Sequence, residues 1–381
     1  MLRIKVVLII LVALIILCVA LFVLVVCIKT AQKRREIERN RDIKKISPLL
    51  KKLLTAETVD FFKNHAQGLS KLSEKLDGKH SMEALEDMLL DILEDADGET
   101  QVRARTIAYH FKFPEKSLSL IGNRRTGNVA IGCRKAGFYQ YEEAIPGILK
   151  ALDIFSSNTQ YQALMALARI GDAGVLVQAF DKINRFVLIN ERAVSEIIKI
   201  FSGNRYELFK KMMHNQSAYL VRLFLKAIDP DVANKLIEDI ITVYRTGDKE
   251  TRLAGIIAIG RSGNSKKTYM LTHALNDPEW EIRAMAAKTL GFLTDPDAVM
   301  ALANAARDRE WWVRQNAVSS LLAYPNCAEI LASIAQTGDR YAYDSMLYTL
   351  EKTDETRLIS AIKEVWKEEE KSTILVENIA S

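Results

Sequence analysis

Three segments of the sequence repeat one pattern: TRLAGIIAIG at residues 251–260, IRAMAAKTLG at 282–291 and VRQNAVSSLL at 313–322. At a spacing of 31 residues an arginine, a small residue and an aliphatic residue recur. The three columns are Arg252/Arg283/Arg314, Gly255/Ala286/Ala317 and Ile259/Leu290/Leu321. A fixed period of about 20 to 50 residues is typical of architectures built from stacked repeats.

Each repeat has the pattern of a helical hairpin. Asp277 can cap a helix, Pro278 suits a first turn, and Glu279 favours the positive end of the helix dipole. Apolar and small residues follow at helical spacing, and a second helix is predicted over residues 297–306. Because one hairpin cannot bury both of its apolar faces, neighbouring hairpins must stack and share a core.

The recurring Asp…Val/Ile-Arg-x-x-Ala…Leu-Gly pattern resembles the short bacterial HEAT-like repeat of the lyase type. It is clearest at residues 277–291 and 308–322, while weaker copies extend upstream and a last copy has Ser345 in place of the arginine. The resemblance implies an all-α fold, an α-solenoid of HEAT-like hairpins over residues 98–367. The sequence is also similar to bacterial HEAT-repeat proteins that are anchored in a membrane.

The amino-terminal segment predicts a transmembrane helix. From Val6 to Ile28 the sequence has 23 apolar residues without a charge, glycine or proline. A helix of this length spans about 35 Å, enough for a hydrocarbon core of about 30 Å. A cleaved signal peptide is the alternative, but its apolar region is shorter and ends in small residues. The sequence therefore favours a retained single-pass anchor over residues 1–28 and a location in the cell membrane.

Basic residues follow the anchor, in a predicted juxtamembrane stalk over residues 29–46. Residues 1–52 carry 12 Lys and Arg against 3 Asp and Glu, whereas the remainder carries 41 against 45. The positive-inside rule favours a cytoplasmic repeat domain, although Arg3 and Lys5 oppose it. The basic cluster is a topology signal and solubilising stem, a surface for anionic lipid, or both. The lipid-surface candidates are Lys33, Arg34, Arg35, Arg39, Arg41, Lys44 and Lys45.

Two further regions flank the repeats. Ser47 and Pro48 predict a new helix start and open an amino-terminal helical cap over residues 47–97, whose acidic last part is predicted to be a solvated face. Residues 368–381 form the predicted C-terminal tail.

The repeat body is nearly neutral, which argues against nucleic-acid binding, because a repeat protein that binds nucleic acid is expected to carry a basic stripe.

No pattern of catalytic or metal-binding residues was found. The histidines have no partner at metal-ligand spacing, the four cysteines form no CxxC pair, and HExxH, GxSxG and GxGxxG are absent. The aspartate and arginine of each repeat are interpreted as a structural ladder between repeats. We therefore expect no catalytic residue, metal or cofactor, and no enzymatic activity. The histidines are His65, His80, His110, His214 and His273.

Aromatic residues recur in the first turn of the later repeats and are the candidates for binding a partner. They are Trp280, Trp311, Trp312, Tyr341 and Tyr343. Trp and Tyr dominate interface hot spots, so an exposed aromatic edge favours protein binding. The alternative is that these rings pack between neighbouring helices as part of the core.

The sequence predicts a membrane-tethered scaffold or adaptor that binds another protein. Resemblance to anchored bacterial HEAT-repeat proteins implies a partner in envelope biogenesis, such as a membrane glycosyltransferase, or in signalling. The alternative is a HEAT-like lyase or another chromophore-handling protein, as the lyase-type repeat implies.

Overall fold

The computed structural model describes residues 2–55, 67–76, 78–96, 98–184 and 190–380. All the regular elements within these ranges are helical. The chain divides into two compact units, Met1–Ala166 and Leu167–Ser381. His65 and Asp97 lie outside the described residues, as does most of the segment that joins the stalk to the acidic helix.

The described part of the first unit contains six α-helices, a helical stretch at residues 67–74 and a 3₁₀ helix at Glu142–Ala144. They are α1 (Leu2–Thr55), α2 (Lys79–Asp95), α3 (Glu99–His110), α4 (Phe113–Ile121), α5 (Thr126–Tyr139) and α6 (Ile145–Ala151). The next helix, α7 (Ser157–Ile170), contains the boundary between the two units.

The remaining helices belong to the second unit. They are α8 (Ala173–Asn184), α9 (Glu191–Ile200), α10 (Arg205–Met213), α11 (Ala218–Ala227), α12 (Pro230–Lys235), α13 (Ile237–Thr246), α14 (Lys249–Arg261), α15 (Thr268–Ala274), α16 (Trp280–Leu293), α17 (Val299–Ala305), α18 (Trp311–Leu321), α19 (Cys327–Ala335), α20 (Arg340–Lys352) and α21 (Thr356–Ala380). Helix α21 continues across the predicted start of the C-terminal tail at residue 368.

The predicted helix start at Ser47 and Pro48 is wrong, because α1 continues through Pro48 to Thr55. Proline lacks an N–H, so it removes one backbone hydrogen bond from the helix interior. Burial offsets this cost: Ile46, Leu50 and Leu54 are buried where α1 packs against α2 and α3. The apolar segment, the basic stalk and the start of the cap therefore form one continuous helix.

The acidic helix α2 is not solvated along its whole length. Glu86 is buried in the first unit. One of its carboxylate oxygens accepts a hydrogen bond from the Tyr139 hydroxyl at 3.0 Å and lies 2.8 Å from the Lys135 ammonium. A buried carboxylate needs such partners, because its desolvation is otherwise unfavourable.

Stacked hairpins form the second unit over residues 237–352. Each hairpin pairs one helix with the next along the chain: α13 with α14, α15 with α16, α17 with α18, and α19 with α20. The second helices of the hairpins also contact one another in order, from α14 through α16 and α18 to α20. The predicted columns lie in the shared core, where Ala286, Ala317, Ile259, Leu290 and Leu321 are fully buried. The prediction of an all-α chain is confirmed for the described residues, and stacked hairpins are present over residues 237–352.

Two local predictions within the hairpins need correction. Asp277 does not cap α16, which begins at Trp280; its Oδ1 accepts the Glu279 N–H at 3.0 Å and closes the turn before the helix. The second helix of that repeat begins later than predicted, because a 3₁₀ turn at Pro296–Ala298 precedes α17. Proline has no N–H to donate, so it is tolerated in that first turn.

Candidate partner-binding and membrane-facing surfaces

A ladder of arginine and aspartate side chains joins consecutive repeats. Arg283 donates to Asp308 of the next repeat through Nε at 2.7 Å and through Nη2 at 2.9 Å. Its Nη1 also donates to the backbone carbonyl of Asp277 at 2.9 Å. Arg252 forms the equivalent pair with Asp277. Arg252 and Arg283 therefore each pair with the aspartate that begins the following repeat, whereas Arg314 donates to the Ser345 hydroxyl.

The ladder also lowers the pKa of one of its carboxylates, that of Asp308. Burial raises the pKa of Asp308, but the hydrogen bonds from Arg283 and from the backbone N–H of Glu310 more than offset it, so the pKa is below its ordinary value. Both side chains are mostly shielded from solvent, with 7% of Arg283 and 13% of Asp308 exposed. The carboxylate of Asp308 is thus already paired across the boundary between two repeats.

Four of the five aromatic candidates are exposed at the first turns of α16, α18 and α20. The exposed fractions are 37% for Trp280, 36% for Trp311, 55% for Trp312 and 72% for Tyr341. Tyr343 differs, because it stacks on Trp366 of α21 with ring centroids 4.2 Å apart. The first four rings are therefore accessible, whereas Tyr343 helps to hold the last helix.

One aromatic residue of this surface was missed in the sequence. Tyr348 is 48% exposed, and its ring lies edge-on to Trp311 at 5.5 Å, while Trp312 lies edge-on at 4.6 Å. Tyr348 occupies the column that holds Ala286 and Ala317 in the preceding repeats. The sequence signal that could have identified Tyr348 is a large aromatic residue in a column otherwise occupied by small residues. We call Trp280, Trp311, Trp312, Tyr341 and Tyr348 the aromatic surface.

The described histidines are not brought together. His80 faces Glu83 at 3.8 Å and His214 faces Asp239 at 3.9 Å, while His110 packs against the Phe111 ring. Among the residues that the structure describes, no group of three or more His, Cys, Asp or Glu side chains could hold a metal ion.

The apolar part of α1 is exposed. From Ile16 to Ile28 its side chains lie on the surface of the first unit. Among the described residues, α1 is the one helix that is both long enough and apolar enough to cross a membrane. None of its most apolar segment is buried. Exposed apolar patches of this extent are rare on soluble proteins and indicate a contact with lipid or protein.

Because α1 is continuous, the basic candidates lie at different distances from the end of its apolar segment. Measured along the axis from Ile28, Lys33 and Arg34 lie about 8 and 9 Å away, whereas Arg39 and Lys45 lie about 16 and 26 Å away. Electrostatic interactions of exposed charges are screened over about 8 Å at physiological ionic strength. Lys33 and Arg34 thus lie within about one screening length of the end of the apolar segment, whereas Arg39 and Lys45 lie well beyond it.

The distal basic residues have other surroundings. Arg39 forms an ion pair with Asp87 of α2 at 2.8 Å. Arg41, Lys44 and Lys45 are exposed beside Ile37 and Asn40 on the same helix. The side chain of Arg35 lies outside the described residues.

A comparison with family models matches part of the second unit. Residues 237–322 match the family model described as HEAT repeats. A comparison with curated proteins found no significant match. The matched segment contains α13 to α18 and the arginine–aspartate pairs within them.

The chain also matches solved structures at low sequence identity and low TM-score. An Escherichia coli protein, YibA, is 15% identical with a TM-score of 0.30, and the match covers 74% of this chain and 92% of that chain. The CpcE–CpcF complex of phycocyanin lyase from Nostoc sp. PCC7120 is 14% identical, with a TM-score of 0.25 and coverages of 67% and 94%. Kap95p, in a structure of its binding to RanGDP, is 13% identical, with a TM-score of 0.29 and coverages of 84% and 58%.

Proposed function

We propose that this protein is a membrane-tethered scaffold whose HEAT repeats bind a protein partner through the aromatic surface. The supporting observation is the exposure of Trp280 and Trp311 at equivalent positions of consecutive repeats, with Trp312 exposed beside Trp311. Large aromatic rings provide contact area at a low cost in conformational entropy and contribute most to interface hot spots. The ladder beneath them holds the repeats in a defined arrangement before the partner arrives.

The tether is the apolar part of α1. Its length and exposure suit a single transmembrane pass, and Lys29, Lys33 and Arg34 beside it favour a cytoplasmic repeat domain. Confinement to the membrane raises the local concentration of the scaffold near membrane partners. The resemblance to anchored bacterial HEAT-repeat proteins favours a membrane glycosyltransferase or a signalling protein as the partner. The protein itself acts by binding and not by catalysis.

The proposal is tested with the full chain solubilised from membranes. Partners retained by the wild type are identified by mass spectrometry and compared with those of Trp311→Ala/Trp312→Ala. We expect the variant to retain at most a tenth of the amount of a specific partner that the wild type retains, because truncating a hot-spot residue costs about 2 kcal/mol or more. Its melting temperature should be unchanged. Phe292→Ala is the control, since Phe292 is 75% exposed on the same array but lies outside the aromatic surface.

Other outcomes point to the alternatives. A large fall in melting temperature of the tryptophan variant shows that the rings support the core. A mature chain that lacks its first residues, measured by intact mass, shows a cleaved signal peptide and refutes the tether. Binding of an added tetrapyrrole with a change in its absorption spectrum supports the chromophore-handling alternative.

A further inference from the structure

We propose that a cavity between two HEAT repeats binds an acidic side chain of the protein partner. This inference depends on the proposed scaffold function and specifies the chemistry of the partner. The cavity has a volume of about 490 Å³ and lies between the end of α13, the start of α14 and helix α15. Ligand-binding pockets have volumes of about 300 to 1,000 Å³, so this cavity suits one or two side chains.

Arg252 is one of two arginines that line the cavity, and its charge is already compensated. Its guanidinium pairs with Asp277, which also lines the cavity, and lies 5.5 Å from the centre of the Tyr244 ring. Arg252 belongs to the inter-repeat ladder. Its role is therefore to form the wall of the cavity.

Arg245 is the second arginine and is available to a ligand. Its side chain is exposed, and Nη2 donates to the thioether sulfur of Met270 at 3.6 Å. Within the described part of the chain it forms no ion pair. A thioether is a weak acceptor, so the guanidinium keeps donors for a stronger one. Carboxylates are its natural partners, since they accept two parallel hydrogen bonds from one guanidinium.

The other walls suit the carbon chain of an acidic residue. Tyr244 and Met270 are buried and present apolar surface, while Tyr269 and His273 are exposed beside them. Two arginines against one aspartate leave the lining with a net charge of +1 when His273 is neutral. Residues 53–381 together have a net charge of −4, so the cavity is locally positive on a weakly acidic body. Glutamate or aspartate in an exposed partner segment matches this combination.

The charge pattern favours an acidic peptide over a nucleic acid. Nucleic-acid binding needs several cations along a line of phosphates. Here a single arginine is free of an ion pair within the described lining, and it is enough for one carboxylate at a time. The cavity is also open beside Tyr269 and Arg245, so a side chain of a larger partner can enter from the surface.

The test measures binding of fluorescein-labelled octaglutamate and octaglutamine peptides to the full chain in detergent, by fluorescence anisotropy at low salt. We expect octaglutamate to bind at least tenfold more tightly than octaglutamine. Arg245→Gln is expected to weaken octaglutamate binding about tenfold with an unchanged melting temperature. Arg309→Gln is the control, because Arg309 is an exposed arginine of the next repeat that does not line the cavity.

Three results would overturn the inference. Equal binding by wild type and Arg245→Gln shows that the peptide binds elsewhere, for example to the basic stalk. Equal binding of both peptides shows that charge does not matter. Arg245-dependent binding of free succinate without a preference for octaglutamate shows a small-molecule site instead of a peptide site.

The same assay separates this inference from the scaffold proposal. Trp311→Ala/Trp312→Ala is expected to bind octaglutamate as the wild type does, since neither ring lines the cavity. If Arg245→Gln binds the peptide normally while the tryptophan variant loses its protein partner, the scaffold proposal stands and the acidic-peptide inference fails.

Discussion

Two consecutive junctions of the repeat array use the same arginine column in different ways. Between α16 and α18 the arginine is Arg283, whose partner is the Asp308 carboxylate. Between α18 and α20 it is Arg314, whose Nε donates to the Ser345 hydroxyl at 3.0 Å. Both arginines donate to backbone carbonyls of their own turn, at 2.9 Å in the first and 2.8 Å in the second. The backbone contacts are thus constant, and the inter-repeat partner changes from a charge to a neutral group.

The junctions also differ in how closely the helices approach. A Cβ added to Gly291 would lie 2.5 Å from Ser320 Oγ and 2.9 Å from Ser320 Cα of the next helix. Leu322 stands at the equivalent sequence position one repeat later, where α18 packs less extensively against α20 than α16 does against α18. The junction between α16 and α18 therefore combines a charge pair with a close helix contact, whereas at the next junction Arg314 donates to a hydroxyl.

The largest expected effect comes from removing the arginine at each junction. Arg283→Met leaves the Asp308 carboxylate without its charged partner, and breaking a buried pair costs about 3–5 kcal/mol. Arg314→Met leaves only neutral acceptors without a partner, for which about 1–3 kcal/mol is expected. Urea unfolding of the full chain in detergent, followed by circular dichroism, measures both losses. Equal losses would show that the carboxylate adds nothing to the backbone contacts.

An intermediate effect is expected from Gly291→Ala. The new methyl group meets the backbone and side chain of Ser320, so α16 and α18 must move apart, at a cost of about 1–3 kcal/mol. Gly127→Ala is the matched control, because a Cβ at that helical position meets nothing within 4 Å. Differential scanning fluorimetry should show a lower melting temperature for Gly291→Ala alone. Similar values for both variants would mean that the close approach is not needed.

The smallest effect is a change in acid sensitivity. The pKa of Asp308 is lowered on folding, so its contribution to stability is present above the ordinary carboxyl pKa of about 3.9 and is lost as the pH falls through the folded value. Asp308→Asn should therefore be less stable than the wild type near neutral pH but lose less stability on acidification. Melting temperatures between pH 7 and 3 measure the difference. Arg314→Met should keep the wild-type slope, because Ser345 does not titrate, and a flattened slope in that variant would contradict the assignment.

Much of the array could be predicted from the sequence because the repeat period is a property of the chain itself. Buried columns such as Ala286 and Leu290 recur at 31 residues, and stacking demands them. The exposure of Trp280 and Trp311 could not be predicted, since a first-turn aromatic ring suits either the core or the surface. Tyr343 shows the other outcome, because α21 supplies Trp366 to cover it.

The amino-terminal helix shows a different limit of sequence reasoning. Pro48 after Ser47 is a valid helix-start signal, yet α1 continues through it. The deciding contacts come from α2 and α3, which lie more than 30 residues away in sequence and bury Leu50 and Leu54. Tertiary packing of this kind outweighs the loss of one backbone hydrogen bond.

The sequence by itself determined the helical hairpins, their period, the columns that form their core and the apolar amino-terminal segment, because these follow from local spacing and hydrophobicity. The tertiary structure decided which aspartate each arginine pairs with, which aromatic rings remain exposed and that Arg245 lines a cavity without an ion pair among the described residues. Those features depend on distances between side chains of different repeats. Such distances exist only once the repeats have stacked.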